Sequence, residues 1–323
     1  MHILVTGGAG YIGSHVALAL LSRGHRVTVV DDLSNGDARL VPAGATLLVA
    51  DAAGILPHLP THGPDGIIHL AGAMRVAESL TQPLHYWRTN TAKTIEIAAF
   101  AAARRIPLVF SSTAAVYGDP ETVPVREDAR LAPISPYGWS KLAAEQVLRE
   151  AGAAHGLAWT ALRYFNVAGA DPAGRAGQLG RGNTHLFKVA TYSAARGLRG
   201  MPIHGTDHAT PDGTCVRDYV HVADLAAVHA LALERLASGG APDVFNVGYG
   251  RGASVLEVIR AVERVAGCDL GATPAGRRPG DPARLIADPA RLQRATGWRP
   301  RHDDLEVIAA TALAWERAQV ARP

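Results

Sequence analysis

The stretch TGGAGYIGSH, residues 6–15, decides the fold, because an apolar run (ILVT) leads into it and an amphipathic pattern over 12–23 leaves it. Gly7, Gly10 and Gly13 give it three positions without a side chain. In a strand–turn–helix setting such glycines allow a tight turn, bring backbone N–H groups against a pyrophosphate, and let helix pack closely on strand.

Working outward, short apolar runs alternate with helical patterns: RVTVV, TLLVA, GIIHLA, a helix over 84–104, PLVFSS, a helix over 137–155, and AWTALRYF. Strands that are apolar on both faces and alternate with helices predict an α/β fold, a doubly wound parallel Rossmann-type sheet covered on both sides. After Asn166 a Gly/Arg-rich stretch breaks the pattern. CVRDYVHVADLAAVHALALERL then restores one strand–helix unit before DVFNVGYG and a Pro/Arg-rich tail. The expected organisation is a dinucleotide-binding domain of residues 1–166 plus 217–248 and a smaller C-terminal substrate domain of 167–216 plus 249–323, with the site between them. Ser254 followed three residues on by Glu257 reads as a helix capping box, which assigns that glutamate to structure.

Composition excludes several classes. The 323 residues are 48% hydrophobic and 19% charged, and the net charge of +3 is spread along the chain without a basic run, so no nucleic-acid partner is expected. Cys215 and Cys268 form no C-x-x-C, which argues against a disulfide framework, a zinc site or a redox dithiol. His221 and His229 suit no metal pair and read as structural, so no metal is expected. No apolar run approaches the roughly 18 residues of a membrane span. The chain opens directly on HILVTGG and is read as complete, soluble and cytoplasmic.

At the end of the second strand, Asp31 is placed to accept hydrogen bonds from adenosine ribose hydroxyls. A carboxylate there repels a 2′-phosphate, so the expected cofactor is NAD rather than NADP. Asp32 and Asn35 are candidates for the same ribose and adenine side, and Asp51, at the end of the third strand, for the adenine amino group. Each of these three also reads as an ordinary polar turn residue.

The chemistry is expected around SPYGWSK, residues 135–141. Ser-Pro makes an extended lead-in, and Tyr137 and Lys141 lie one helical turn apart on one face, roughly 6 Å along the axis. A phenol with a pKa of about 10 becomes a base near neutrality only with positive charge close by, which Lys141 and an oxidised nicotinamide supply. Thr113 closes the strand of VFSSTAAVYG, at the carboxyl edge where parallel sheets bind ligands, and is the third member of the set.

Together TGGAGYIGSH, SSTAAVYG, SPYGWSK and RYFN resemble the extended short-chain dehydrogenase/reductases. DGTCVRDYVHVADLA (212–226) and RRPGDPARLIADP (277–289) are similar, within that group, to the UDP-glucose 4-epimerase family. The resemblance implies transient oxidation at C4 of a UDP-hexose by tightly held, recycled NAD, rotation of the 4-keto sugar, and return of hydride to its other face. It implies that Tyr137 is the acid/base, Thr113 the hydroxyl partner of the substrate, and Lys141 the cofactor-ribose and electrostatic partner. Tyr11, Ile12, Ala52, Leu70, Ala71 and Tyr164 complete the implied cofactor contacts. Asn166, His185, Leu186, Arg217 and Arg278 fall to the nucleotide and its diphosphate, and Asp281 to the uridine ribose; guanidinium forks suit phosphates and a carboxylate suits a diol. Arg277 reads as a solvated neighbour. A homodimer through the helices over 84–104 and 137–155 is also implied.

Several positions depart from the family pattern. Met74 stands in a lysine's slot with Arg75 beside it, Thr89 replaces a cofactor-side asparagine while Asn90 is kept, and Lys93 replaces a glycine. Leu285, at the position that gates sugar size, is neither bulky nor small, which leaves other UDP-sugars open as substrates: an N-acetylhexosamine, a pentose or a uronate. A 4,6-dehydratase needs an Asp-Glu pair after Thr113, where Ala114 and Ala115 stand. A non-catalytic NAD sensor has no need of Thr113, Tyr137 and Lys141 together.

Overall fold

In a computed structural model, which describes residues 1–60, 63–179, 185–278 and 281–321, the apolar runs of the first half become parallel strands. The order is β1 (His2–Thr6), α1 (Tyr11–Ser22), β2 (Arg26–Asp31), β3 (Ala45–Val49), β4 (Gly66–His69), α2 (Val76–Thr81), α3 (Pro83–Tyr86), a π-helical turn (Trp87–Ala92), α4 (Lys93–Arg104), β5 (Leu108–Thr113), α5 (Pro136–His155) and β6 (Trp159–Tyr164). The expected helix over 84–104 is thus interrupted by a π turn. Such turns recur at functional sites, and this one carries Asn90 inward.

The second half continues with β7 (Asn166–Ala168), α6 (Leu186–Arg196), β8 (Pro202–His204), β9 (Val216–His221), α7 (Val222–Ala237), β10 (Asp243–Val247), β11 (Gly252–Ser254), α8 (Val255–Ala266), β12 (Thr273–Ala275), β13 (Arg284–Leu285), α9 (Ala290–Thr296) and α10 (Leu305–Val320). The capping box at Ser254 and Glu257 is formed. Residues 180–184, in the middle of the Gly/Arg-rich stretch, lie outside the described residues.

Seven strands form one parallel sheet in the order β3-β2-β1-β4-β5-β6-β10. Its two faces are covered separately. Val16 and Leu20 of α1 with Leu225 and Leu233 of α7 pack on one face, and Ile97 and Phe100 of α4 with Ala144 and Leu148 of α5 on the other. Burying both faces is what makes these strands continuous apolar runs instead of alternating ones. The strand order reverses between β1 and β4, which opens a crevice at their carboxyl ends.

A second sheet centres on β9, which pairs in parallel with β7 and β13 and antiparallel with β11. The 217–248 segment therefore divides: α7 and β10 join the first sheet, and β9 the second. Helices α6, α8 and α10 pack against one another beside the second sheet, around Phe187, Tyr219, Val258, Val262 and Ile308.

Candidate active site

The glycine turn sits on that crevice. Gly7 has φ +70°, and a Cβ on it would lie 2.6 Å from the Ala71 nitrogen beyond β4. A Cβ on Gly13 would lie 2.6 Å from Gly8 Cα and closer still to the Gly7 carbonyl oxygen. Gly10 is the extended N-cap of α1 and offers no side chain to the first turn. The helix therefore presents N–H groups that lack intrahelical acceptors to whatever occupies the crevice. Leu70 N–H bonds the Thr6 carbonyl at 3.0 Å, which aligns the far wall. Tyr11 donates to the Gly169 carbonyl at 2.7 Å and ties the turn to the chain after β7, while Ile12 packs into the core behind it.

At the ribose end Asp31 is buried, accepting from Ala9 N–H at 3.0 Å and Leu33 N–H at 2.9 Å. Burial raises its pKa, against the pull of those two bonds. A Cβ on Gly36 would meet its carboxylate at 2.6 Å, so the loop closes over this acid. Each oxygen takes one protein bond and retains a lone pair for a diol. A groove that a Cβ would fill, with a carboxylate at its ribose end, fits a dinucleotide with a free 2′-hydroxyl.

Further out, Asp32 accepts from the backbone and hydroxyl of Ser34, and Asn35 is exposed beside it. Asp51 accepts from the Ala53 and Gly54 N–H groups, both at 3.0 Å, and pairs with Lys93 of α4. Ala52 is buried in the adjoining core. Lys93, which stands where the family has glycine, thus reaches the very residue expected at the adenine. Met74 is 58% exposed. Asn90, buried, accepts from Ala73 N–H at 2.8 Å and donates to the Ala73 carbonyl at 3.0 Å and to Ser140 Oγ at 2.9 Å. It clamps the wall after β4 to α5, so that part of the site is tied down without the missing asparagine at 89.

The expected reacting set comes together where β5, β6 and α5 meet. Ser135 caps α5 by accepting from Gly138 N–H at 3.2 Å, and Pro136 opens its first turn. Tyr137, next in line, faces Thr113 at the end of β5: burial raises the phenol, and its hydrogen bond with Thr113 works the other way. Thr113 Oγ1 also accepts from Ala115 N–H at 3.1 Å. Lys141 Nζ is buried, donates to the Ser111 carbonyl at 2.8 Å and lies 4.9 Å from the Phe110 ring centroid. Burial pulls its pKa down to about 8, with Glu145 opposing. Tyr164 ends β6 in register with Thr113, its hydroxyl bonded to His229, whose Nδ1 donates to the Leu225 carbonyl at 2.9 Å. His221 accepts from Ala223 N–H at 3.1 Å as the cap of α7. Both histidines are thus engaged in hydrogen bonds within the fold, and among the described residues no group of three or more His, Cys, Asp or Glu that could hold a metal ion occurs.

Two residues of this shell were not singled out from sequence. Tyr86 packs edge-on against Tyr137, with ring centroids 6.2 Å apart, and its hydroxyl lies 2.8 Å from Glu78. Glu145 lies one turn beyond Lys141, buried against Ser112 and Arg163. The i, i+4, i+8 spacing of Tyr137, Lys141 and Glu145 was the available signal for Glu145.

On the substrate side, Arg217 is buried and pairs with Asp281, so the expected diphosphate grip and ribose ligand come together. Its neighbour Asp218 is fully buried, accepts from Tyr249, Gly250 and Ala287 N–H groups and is pushed by burial to about 6. His185, the N-cap residue of α6, is held below its usual pKa by desolvation and, secondarily, by the charge of Arg278. Leu186 follows in the first turn of α6, and half-buried Asn166 opens β7. Arg277 instead forms an exposed pair with Asp207 at 2.7 Å. Leu285 is the register partner of Arg217 and packs with Phe165, Val116 and Tyr117.

Comparison with known proteins agrees with this geometry. The model of the NAD dependent epimerase/dehydratase family matches residues 3–248. The UDP-glucose 4-epimerase of Azospirillum brasilense is 52% identical over 320 residues, 98% of this chain and 92% of that protein. Among solved structures, the UDP-glucose 4-epimerase of Brucella ovis in complex with NAD superposes with a TM-score of 0.93 at 38% identity, covering 98% of each chain. The enzyme of Bifidobacterium longum in complex with NAD+ and UDP gives 0.92 at 33% identity over 99% of each. The chain belongs to the NAD dependent epimerase/dehydratase family.

Proposed function

We infer that the chain is an NAD-dependent epimerase that interconverts UDP-glucose and UDP-galactose by transient oxidation at C4. The observation that carries the reading is the meeting of Tyr137, Thr113 and Lys141 at the carboxyl edge of the first sheet, across the crevice from the glycine turn. NAD, when bound, accepts a hydride from C4 and gives it back. Gly7, Gly10 and Gly13 would receive its pyrophosphate, Asp31 its adenosine ribose, and Lys141 the ribose at the nicotinamide end.

In this reading Tyr137 takes the proton of the sugar 4-hydroxyl and Thr113 holds that oxygen as its charge changes. Burial makes the phenol a weak base unless positive charge stands near it, and Lys141, one helical turn on, is the charge this chain itself supplies. An oxidised nicotinamide would add a second. Return of the proton to the same oxygen after the keto sugar has turned completes the inversion. Arg217, Arg278, Asn166, His185 and Asp281 hold the UDP moiety, which lets the hexose alone rotate. Opening of the Arg217–Asp281 pair frees one fork for the diphosphate and one carboxylate for the ribose diol.

We propose a homodimer. Leu84, Trp87, Ile95 and Trp139 are exposed on the neighbouring surfaces of α3, the π turn, α4 and α5, an apolar patch of the kind that marks association. Among the described residues no helix is long and apolar enough to cross a membrane, and a cytoplasmic setting suits the free thiols of Cys215 and Cys268.

The test is direct. Purified protein is denatured and its supernatant assayed for NAD, and the native protein is given UDP-galactose without added cofactor. NAD in the supernatant and UDP-glucose as product are expected; absence of both refutes the reading.

A further inference from the structure

Glu145 is 1% exposed, and its carboxylate reaches three groups. It accepts from Ser112 Oγ on β5, and from Arg163 on β6 through Nε at 2.9 Å and Nη2 at 2.6 Å. Ser112 and Arg163 are register partners in the sheet, and the next pair in register is Thr113 and Tyr164. On its own helix Glu145 continues the face that carries Tyr137 and Lys141. Arg163 extends the tie, donating to Tyr117 OH at 2.8 Å and to the Glu127 carbonyl at 3.2 Å.

We propose that Glu145 is a positioning residue for hydride and proton transfer: by binding the Ser112–Arg163 pair from α5 it fixes Thr113 and Tyr164 relative to Tyr137 and Lys141. The inference rests on reading those four residues as the reacting set. Its geometry is that of a three-way joint, in which one carboxylate ties a helix to two strands whose next residues, Thr113 and Tyr164, are those assigned to the sugar and the nicotinamide. A side chain that only filled the core would need neither two strands nor a bidentate partner.

A second effect follows from charge. Around Lys141 stand Tyr137 and Glu145 from its own helix, His69 from β4, which burial and Lys141 itself hold uncharged, and Arg163 behind Glu145. Glu145 is the negative member, and it favours the ammonium. Removing its charge leaves Arg163 unopposed and makes the ammonium easier to lose.

The test compares Glu145→Gln with the wild-type holoenzyme for kcat and KM on UDP-galactose across pH, together with NAD content and melting temperature. Expected are a kcat about 10- to 100-fold lower with KM changed less than about threefold, as for a small misplacement of reacting groups. The alkaline fall in kcat is also expected to start at lower pH. Breaking a buried pair can prevent folding, so Ser112→Ala, which leaves the Glu145–Arg163 pair intact, is measured in parallel. It is expected to lose about three- to tenfold in kcat at unchanged KM and NAD content. The proposal is overturned if Ser112→Ala keeps wild-type kcat, or if a folded, NAD-loaded Glu145→Gln keeps both wild-type kcat and the wild-type pH profile. Wild-type protein without epimerase activity overturns the functional reading instead.

Discussion

Tyr137 and Lys141 have opposite protonation problems in the same pocket. Burial raises the phenol and lowers the ammonium to about 8, so each is pushed towards its uncharged form. Tyr137→Phe is therefore expected to lower kcat by about 10²- to 10⁴-fold, the usual worth of a general acid–base, with NAD content unchanged; a rate within tenfold of wild type means that another group is the base. Because the Lys141 pKa is depressed, its charge is present below about pH 8 and lost above it, and kcat should decline as pH rises through that value. A pH–rate profile flat to pH 10 contradicts this. At the adenine end, Lys93→Ala frees Asp51, and NAD release, followed by cofactor fluorescence after mixing with a competitor, is expected to speed up at low salt more than at high salt, as for a part-exposed ion pair.

At the scale of elements, the glycine turn makes the firmest prediction. The atoms that a Cβ on Gly13 would strike are backbone, and backbone does not move aside. Gly13→Ala should cost about 1–3 kcal/mol and abolish NAD retention, measured by thermal melting and cofactor content. These elements were legible because each rests on local rules: three glycines between strand and helix, a Ser-Pro cap before α5, and strands apolar on both faces. Other parts were not, because they depend on distance in the chain. The resemblance assigns Arg217 and Asp281 to one nucleotide, but that they pair with each other shows only once β13 lies beside β9. In sequence β9 reads like a strand of the first sheet, and only its partners show that it belongs to the second. Glu145 reads as one more charge on an amphipathic helix, since nothing local reveals that Ser112 and Arg163 lie beneath it. Asn90 could be carried over as a kept residue, but its inward aim comes from a π turn that no propensity announced.

For the whole molecule, the proposed reacting set stands on the first sheet and α5, while most of the proposed UDP ligands stand on the second sheet and α6. The apolar patch lies outside both, on the outer surface of the first unit. Trp87→Glu combined with Ile95→Glu should convert the expected dimer to monomer in sedimentation velocity; wild-type protein sedimenting as a monomer refutes the dimer outright. The π turn joins these regions, since Asn90 faces the site while Trp87 faces out. It also carries one residue more than an α-helical turn of the same span. Loss of a single codon there would let the stretch close to ordinary helix, leaving the flanking turns in register but removing the wide turn that aims Asn90 at Ala73 and Ser140. Exchange of exposed Arg88 or Ala92 leaves that aim alone, whereas any change in the length of the stretch removes it. In a set of sequences those two positions should drift while the number of residues between Tyr86 and Lys93 stays fixed.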